Sequence, residues 1–226
     1  MSYGLTLVLD GSTYAGSVAL IRDLEVVSER QLERVTKPGR EGRAENFMPM
    51  VADCLADGKV QAADLGRVVC GEGPGSFTSL RVAASIAKGI AVGAGIPLFT
   101  VSSFLLIVAA RDRADGLWLS ALPAMRGEAF VAAYEVIGDA IRETGEPRVV
   151  RESELAREAE RLGATLVGPA SDEDEAPHAR GAARVLDRII SAGACEIDAW
   201  EPMYGRLAEA QVKWEAAHGR PLSAAG

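Results

Sequence analysis

The 226-residue chain has few aromatic side chains, few cysteines and almost no histidine. Aromatic residues make up 5% of the sequence, the cysteines are Cys54, Cys70 and Cys195, and the histidines are His178 and His218. None of these cysteines or histidines stands at the short spacing of a zinc site or a redox motif. The sequence therefore predicts no transition-metal centre, and it predicts buried thiols of the kind found in reducing compartments.

The sequence also lacks an excess of positive charge. Its 24 Lys and Arg residues are outnumbered by 32 Asp and Glu residues, which gives a formal net charge of −8. Proteins that bind nucleic acid unaided usually neutralise the phosphates with Lys and Arg. A role in tRNA chemistry would thus need a partner that supplies the basic surface.

Further absences bear on enzyme classes and on membranes. The chain has no Walker lysine, no G-x-G-x-x-G fingerprint and no G-x-S-x-G elbow around Ser76, and both histidines are expected to be solvent-exposed. The apolar stretch 90–101 is interrupted by Gly93, Gly95 and Pro97 and is too short to span a bilayer. The amino terminus has no basic region, so no signal peptide is predicted. We expect a cytoplasmic protein without membrane contact.

Short apolar runs alternate with amphipathic segments along the whole chain. They predict strands at 5–9, 16–21, 26–32, 67–71, 97–101, 118–122, 129–136 and 165–168, and helices at 44–56, 78–94, 154–162 and 182–190. Strands joined by tight turns, with helices after them, indicate an α/β protein with mixed sheets. A boundary is predicted within 100–117, which gives an N-terminal lobe of residues 1–100 and a C-terminal lobe of residues 101–226.

The strongest local motif is the glycine-rich segment 71–81, G-E-G-P-G-S-F-T-S-L-R, between a predicted strand and a predicted helix. Glycines permit unusual backbone angles and leave amide groups exposed beside a helix amino terminus, where anions are attracted. The candidate residues of a nucleotide or anion site are Gly73, Gly75, Ser76 and Thr78, together with Asp10 and Ser12 from the first strand turn. The alternative is a rigid turn that Ser76 or Thr78 caps.

The first predicted strand ends in Asp10-Gly11-Ser12-Thr13, and a second strand follows at once. In actin-like and sugar-kinase-like folds, a comparable hairpin holds phosphate or magnesium. The alternative, which the sequence favours, is an Asx turn, since an Asp side chain commonly bonds the backbone amide two residues further on.

Two segments are candidates for protein contacts. The helix at 44–56 carries an apolar stripe that includes Phe47, Met48, Val51 and Leu55, with Met50 expected to lie off that stripe as a second apolar surface. The stripe by itself favours packing on a sheet. Near the carboxyl end, the segment 201–206 contains Tyr and Arg, which are common interaction anchors. We expect this segment to dock on its own lobe, and Trp214 to pack a final helix or contact a partner.

These motifs resemble those of the TsaB (YeaZ) family. The matching residues are G-P-G-S-F-T followed by Leu80-Arg81, then Lys88-Gly89, Pro97, Val101-Ser102, the Asp10-Gly11-Ser12-Thr13 start, Phe47-Met48-Pro49-Met50 and P-M-Y-G-R at 202–206. The likeness is close over residues 1–135 and looser beyond them. The sequence departs from the family pattern in three ways: Ser79 and Ala83 replace glycines, Pro123-Ala124-Met125 with Arg126 replaces D-A-R, and Arg43 replaces a histidine.

The resemblance implies a two-lobed actin/sugar-kinase/heat-shock-like (ASKHA) fold with a degenerate cleft. The family's catalytic paralogue binds metal through an H-x-x-x-H helix, where this chain has Arg43 and Phe47. The resemblance therefore implies a non-catalytic scaffold that activates a TsaD-like catalytic subunit, together with a TsaE-like ATPase, to form N6-threonylcarbamoyladenosine at position 37 of tRNA.

The resemblance also implies the partners and the ligands. The chain would pair with itself when alone, through the helix at 44–56, and would meet tRNA only through the complex. No cofactor is expected, except ATP or ADP at a complex interface. The alternatives are an ASKHA-type phosphotransferase, a glycoprotease-like peptidase and a homodimeric nucleotide-binding module.

Overall fold

The computed structural model describes residues 3–14, 16–31, 47–111, 115–124, 126–171 and 176–205. The strands in these ranges are β1 (Leu5–Asp10), β2 (Ser17–Arg22), β3 (Glu25–Gln31), β4 (Arg67–Gly71), β5 (Leu98–Val101), β6 (Gly116–Ala124), β7 (Glu128–Ile137), β8 (Ala140–Glu143), β9 (Arg148–Arg151) and β10 (Thr165–Val167). The α-helices are α1 (Phe47–Asp57), α2 (Phe77–Ala94), α3 (Ser103–Ala109), α4 (Leu155–Leu162) and α5 (Ala182–Ser191).

The strands form two mixed sheets that share one pattern of connections. The first sheet has the order β3-β2-β1-β4-β5, and the second has β10-β6-β7-β8, with β9 also paired to β7. In each sheet the first three strands form an antiparallel meander, and the next long-range strand pairs in parallel beside the first: β4 beside β1, and β10 beside β6. This is the α/β architecture with mixed sheets that the sequence predicts.

The two sheets and the helices stack in alternating layers. Helices α1 and α2 cover one face of the first sheet. Its other face shares a large core with α3, α5 and the inner face of the second sheet. Helix α4 covers the outer face of the second sheet. All seven residues of α3 are buried, because this helix lies between the two sheets. The lobes are therefore joined by a common core as well as by the chain.

Small side chains let α2 pack closely on the first sheet. Its buried residues are Ser79, Leu80, Ala83, Ala84, Ala87 and Ala91. These recur at the three- and four-residue spacing that places them on one face of a helix. The helix ends at Gly95, which has a left-handed backbone (φ 65°) and whose amide bonds the carbonyls of Ala91 and Val92. Glycine adopts this conformation at no steric cost, which explains where the helix stops.

Most predicted elements are confirmed, and within the described residues their ends differ by at most two residues. Positions 44–46 of the first predicted helix lie outside the described residues, as does Trp214. Strands β8 and β9 were missed by the sequence interpretation. Each is only four residues long and lies at the edge of the second sheet, where few apolar residues are needed. Within the described ranges, no helix is long and apolar enough to cross a membrane.

The shared core predicts that a single cavity in α3 destabilises both lobes. Leu106 is fully buried between the sheets. We expect Leu106→Ala to lower the free energy of unfolding by about 2–5 kcal/mol, because the removed methyl groups leave a cavity that rigid sheets do not fill. Urea unfolding followed by circular dichroism measures this.

The matched control is Leu24→Ala, because Leu24 is 49% exposed. This variant is expected to change the free energy of unfolding by less than about 0.5 kcal/mol. Equal effects of the two substitutions would contradict the position of α3 at the centre of the molecule.

Candidate functional site

Asp10 lies at the carboxyl end of β1 and is 1% exposed. Its Oδ1 accepts hydrogen bonds from the Ser12 amide at 3.0 Å and from the Ser12 hydroxyl at 2.7 Å. Its Oδ2 accepts a bond from the Ser103 hydroxyl at 2.5 Å. The bond from the amide two residues on is that of an Asx turn, so the predicted turn is present, while a ligand role of Asp10 stays a prediction. Ser103 is the first residue of α3, so the carboxylate also joins β1 to the central helix.

The environment of Asp10 disfavours its charged form. Burial raises the pKa of this carboxyl above its ordinary value, and the hydrogen bonds from Ser103 and Ser12 oppose that rise. No Lys or Arg in the described part of the chain forms an ion pair with Asp10. A charged Asp10 would hold an uncompensated charge in the core, which costs free energy.

The glycine-rich turn after β4 is tied to the same network. The Gly73 amide donates to the Ser103 hydroxyl at 3.1 Å, and the Ser103 amide donates to the Gly73 carbonyl at 3.1 Å. A Cβ atom added at Gly71 would overlap with the Asp10 carboxylate. The sequence requires glycine here because the carboxylate fills the space that a side chain would need.

The first hairpin and the glycine-rich turn contact each other through their backbones. The Ser76 amide, at the start of α2, donates to the Ser12 carbonyl at 2.7 Å. A Cβ atom at Gly75 would overlap with that carbonyl, and one at Gly11 would overlap with the Ser79 carbonyl. The amide that was predicted to face an anion is thus bonded to a carbonyl of the chain itself.

The carboxyl-terminal part of the described chain covers the same turn. The Met203 amide donates to the Glu72 carbonyl at 2.7 Å. The Met203 carbonyl lies where a Cβ atom on Gly73 would stand. Gly73 has a positive φ of 96°, which places this close approach at a position that only glycine adopts easily.

Five of the six predicted nucleotide or anion residues therefore come together at one junction. Asp10, Ser12, Gly73, Gly75 and Ser76 lie there and contact one another or their neighbours. Thr78 lies on the exposed side of α2. Ser76 is the N-cap residue, but its hydroxyl bonds the Ser79 hydroxyl at 3.2 Å rather than a helix amide. A nucleotide or anion bound at this junction stays a prediction.

Helix α1 buries most of the residues that were predicted to form an interface. Phe47, Met50 and Val51 are buried in the core under the first sheet, and Leu55 packs partly against it. The expectation that Met50 lies off the core face is wrong. Met50 is three residues after Phe47 and four before Cys54, so the helical pitch places all three on one side. Met48 is 51% exposed and remains available for contacts.

An exposed surface runs across α1 and α2. Asp57 of α1 contacts Ser28 and Arg30 of β3. The opposite flank of α1, which carries Met48 and Leu55, therefore faces α2. We name the surface formed by the exposed residues Met48, Ala52, Ser85, Gly89 and Val92 the α1–α2 face. Val92 is 65% exposed, which is high for a large apolar side chain.

The segment 195–205 forms a strap along the other side of α2. The Cys195 amide donates to the Leu98 carbonyl at 2.9 Å, and the Lys88 ammonium group donates to the Trp200 carbonyl at 2.6 Å. The segment 201–206 was expected to dock on its own lobe; Gly205 does approach Phe130 of that lobe, but Met203 and Tyr204 contact the first lobe. The strap lies on the first lobe, because α2 offers cations and an aromatic ring that Trp200 and Tyr204 contact.

His178 is half-buried, which corrects the expectation of a solvent-exposed side chain. Its Nδ1 lies 3.2 Å from Glu29 Oε1, and Arg180 Nη1 donates to Glu29 Oε2 at 2.8 Å. Burial raises the pKa of Glu29, but the bonds and charges of His178 and Arg180 outweigh this effect and hold it below its usual value. This cluster ties β3 to the turn before α5. His218 lies outside the described residues.

The positions that depart from the family pattern fit their surroundings. Ser79 and Ala83 are buried on the sheet side of α2, next to Gly11. Pro123 and Ala124 end β6, and Arg126 has a left-handed backbone (φ 69°) in the turn to β7. Met125 lies outside the described residues, as does Arg43.

The chain is similar to known proteins in its sequence and in its fold. A family model described as "TsaD: tRNA N6-adenosine threonylcarbamoyltransferase" matches residues 40–163, more than half of the chain. The "tRNA threonylcarbamoyladenosine biosynthesis protein TsaB" of Escherichia coli K12 is 32% identical over 154 residues, which cover 67% of this chain. The chain belongs to the TsaB (YeaZ) family.

Other relatives and solved structures agree with this assignment. The TsaB protein of Bacillus subtilis strain 168 is 33% identical over 129 residues, or 57% of this TsaB-family chain. The matched parts span 64% of the E. coli protein and 54% of the B. subtilis protein, less than two thirds of either length. The structure of YeaZ from Pseudomonas aeruginosa has a TM-score of 0.71 at 22% identity, covering 89% of this chain and 99% of that one. This last likeness supports the two-lobed α/β fold.

The raised pKa of Asp10 predicts how stability depends on pH. The Asp10 carboxyl binds its proton more tightly in the folded chain than in the unfolded chain, where an Asp has a pKa of about 4. The stabilising contribution is complete below the unfolded pKa and is lost as pH rises through the folded pKa. Relative to Asp10→Asn, which keeps the shape but does not titrate, the wild type should lose free energy of unfolding as pH is raised above about 4.

Urea unfolding at several pH values tests this expectation. Asp53→Asn, at an exposed position of α1, is the matched control and should follow the wild-type pH dependence. If the wild type and Asp10→Asn lose or gain stability in parallel across the range, the assignment of the titration to Asp10 is wrong.

Proposed function

We propose that this TsaB-family chain acts in the biosynthesis of threonylcarbamoyladenosine in tRNA as a non-catalytic scaffold. Its role would be to bind and activate a TsaD-type catalytic subunit. The family membership supports the pathway, because relatives that carry the name TsaB are described as biosynthesis proteins for this modified nucleoside. The proposal that this chain is non-catalytic rests on the geometry of the site around Asp10.

The observation that supports the scaffold role is that the polar groups around Asp10 form their hydrogen bonds with one another. The Ser76 amide is bonded to the Ser12 carbonyl, and Asp10 accepts its bonds from Ser12 and Ser103. A phosphate or magnesium ion would have to replace these contacts and would leave their partners buried without hydrogen bonds, which costs about 1–3 kcal/mol for each group. This arrangement favours a structural use of the hairpin over phosphate transfer.

The α1–α2 face supports the binding part of the proposal. Met48 and Val92 are large, apolar and exposed, and Ser85 and Gly89 are small exposed residues of α2. Small side chains let another helix approach closely, and exposed methionine adapts to the shape of a partner. Of the predicted interface residues, Met48 is therefore the one we assign to partner contact. Phe47, Met50, Val51 and Leu55 support the face from below.

The remaining partners follow from the same proposal. The α1–α2 face would pair two copies of the chain when the TsaD-type subunit is absent, since both associations would use one surface. A TsaE-type ATPase would join the complex, and ATP or ADP would bind only where subunits meet. The acidic chain, with its net charge of −8, would contact tRNA through its partners.

Reconstitution with purified subunits tests the proposed function. The chain alone is expected to leave unmodified tRNA unchanged. Addition of the TsaD-type and TsaE-type proteins of the same organism, with ATP and the threonylcarbamoyl donor, should yield threonylcarbamoyladenosine, detected by mass spectrometry of digested tRNA. Omission of the chain should abolish the product. Product formation at full rate without the chain, or by the chain alone, would contradict the scaffold role.

A second test separates the face from the core of α1. We expect Met48→Glu to weaken association with the TsaD-type subunit, since a carboxylate replaces an exposed apolar contact, by about 2 kcal/mol or more if Met48 is a central contact. Its folding should be unaffected. Met50→Glu should instead unfold the first lobe, because it buries a charge in the core.

Light scattering and calorimetric titration report association, and thermal melting by circular dichroism reports folding. Arg157→Glu, on the exposed side of α4, serves as a control for the change of charge. If Met48→Glu binds its partner as tightly as the wild type, the contact lies elsewhere on the surface.

A further inference from the structure

Arg81 is held flat by two aromatic rings at the start of α2. Its guanidinium carbon lies 4.3 Å from the centre of the Phe77 ring and 5.6 Å from that of the Tyr204 ring. The two rings are themselves 4.6 Å apart and tilted by 49°. Arg81 Nε donates to the Tyr204 hydroxyl at 3.2 Å, and this hydroxyl donates to Glu201 at 3.2 Å. These contacts restrict the orientation of the Arg81 side chain.

We call these contacts of Arg81 with Phe77 and Tyr204 the clasp. The clasp leaves the outer end of the guanidinium without a hydrogen-bond partner among the described residues. Only Nε has a hydrogen-bond partner within the described residues, and no carboxylate there forms an ion pair with Arg81. The two Nη groups keep their donors, and the residue is exposed. A guanidinium presents such donors in a rigid fork that fits the two oxygens of a carboxylate. Because the clasp already restricts the side chain, little conformational entropy remains to be lost on binding.

The fork is continuous with the α1–α2 face. Arg81, Ser85 and Val92 are exposed residues of one helix, and the first two are one turn apart. The strap forms the opposite border of Arg81 through Tyr204. A protein that covers Ser85 and Val92 would therefore also pass over the Nη groups. Arg and Tyr are among the residues that contribute most of the binding energy in protein interfaces.

We propose that Arg81 is a preformed binding point for a carboxylate of the partner protein, which fixes the register of that protein on the α1–α2 face. The inference rests on the proposed function, because the partner is the TsaD-type subunit. The ligand is an Asp or Glu side chain that enters between the strap and Ser85. Phe77 and Tyr204 lie on the same side of the guanidinium, so they shield that side from water and leave the other side open to the ligand.

A phosphate of tRNA is the other anion that such a fork accepts. The surroundings favour the protein carboxylate. Glu201 lies beside Tyr204, and Glu196 and Asp198 are exposed on the same strap. A tRNA backbone that ran along α2 would be repelled by these negative charges one after another. A single carboxylate binds only the guanidinium of Arg81. The chain as a whole is also acidic.

Calorimetric titration of the full chain with the TsaD-type protein tests the proposal at several salt concentrations. We expect Arg81→Gln to weaken the complex about tenfold or more, and Arg81→Lys to restore little of this, because an ammonium group lacks the planar fork. The salt dependence of Kd should also decrease in Arg81→Gln, since one ion pair is lost. A purely structural effect of Arg81 would not change that dependence.

Two controls complete the design. Arg157→Gln removes an exposed arginine of the second lobe and should leave Kd unchanged. Tyr204→Phe removes the bond to Nε but keeps both rings, so it should weaken binding much less than Arg81→Gln. Thermal melting checks that each variant is folded.

The outcomes distinguish the carboxylate site from the scaffold role. If the wild type binds the TsaD-type protein and Arg81→Gln binds equally well, the carboxylate site is wrong while the scaffold role stands. If Arg81→Gln keeps the protein complex but loses binding of tRNA to it, the anion is a phosphate and the proposal is overturned. If the wild type fails to bind the TsaD-type protein, both the scaffold role and this site are refuted.

Discussion

The Asp10 carboxylate, buried at the end of β1, holds together three parts of the chain that are distant in sequence. It bonds the first hairpin through Ser12 and the central helix through Ser103, which in turn bonds Gly73 of the glycine-rich turn. The groups that make these contacts are hydroxyls and amides. Among the described residues, no cation forms an ion pair with the carboxylate. The geometry has to be kept closely, because a lost bond would leave a buried charge or dipole without a partner.

This junction explains why the surface rather than the cleft carries the proposed activity. Backbone groups of the glycine-rich turn are bonded to the chain itself: the Ser76 amide to the Ser12 carbonyl, and the Glu72 carbonyl to the Met203 amide. The same bonds make α2 a rigid support, since its amino terminus is fixed by the hairpin and one flank by the strap. A rigid helix with an exposed apolar side suits the binding of another protein, because little entropy is lost when the partner docks.

The strap covers the flank of α2 that carries Lys88 and Arg81. Trp200 and Tyr204 contact Lys88 and Arg81, so cations of α2 are held by aromatic rings rather than by carboxylates. Cation–π contacts hold these two cationic side chains against the rings. The strap connects the junction at Gly73 to Phe130 of the second lobe, where a Cβ atom on Gly205 would overlap with the ring. Both lobes thus contribute to one continuous structure around α2.

The sequence by itself determined the order of the elements, the fold class and the Asx turn at Asp10. These features depend on residues close together in the sequence. Apolar runs predict the strands, three- and four-residue repeats predict α2, and an Asp side chain in a tight turn can accept a hydrogen bond from the amide two residues further on. It left out β8 and β9, which are edge strands too short to show a pattern. It also misplaced Met50 and His178, whose burial depends on elements far away in the chain. Only the tertiary structure decided that Ser103 reaches Asp10 and that Tyr204 clasps Arg81, because such contacts between distant residues leave no periodic signal in the sequence.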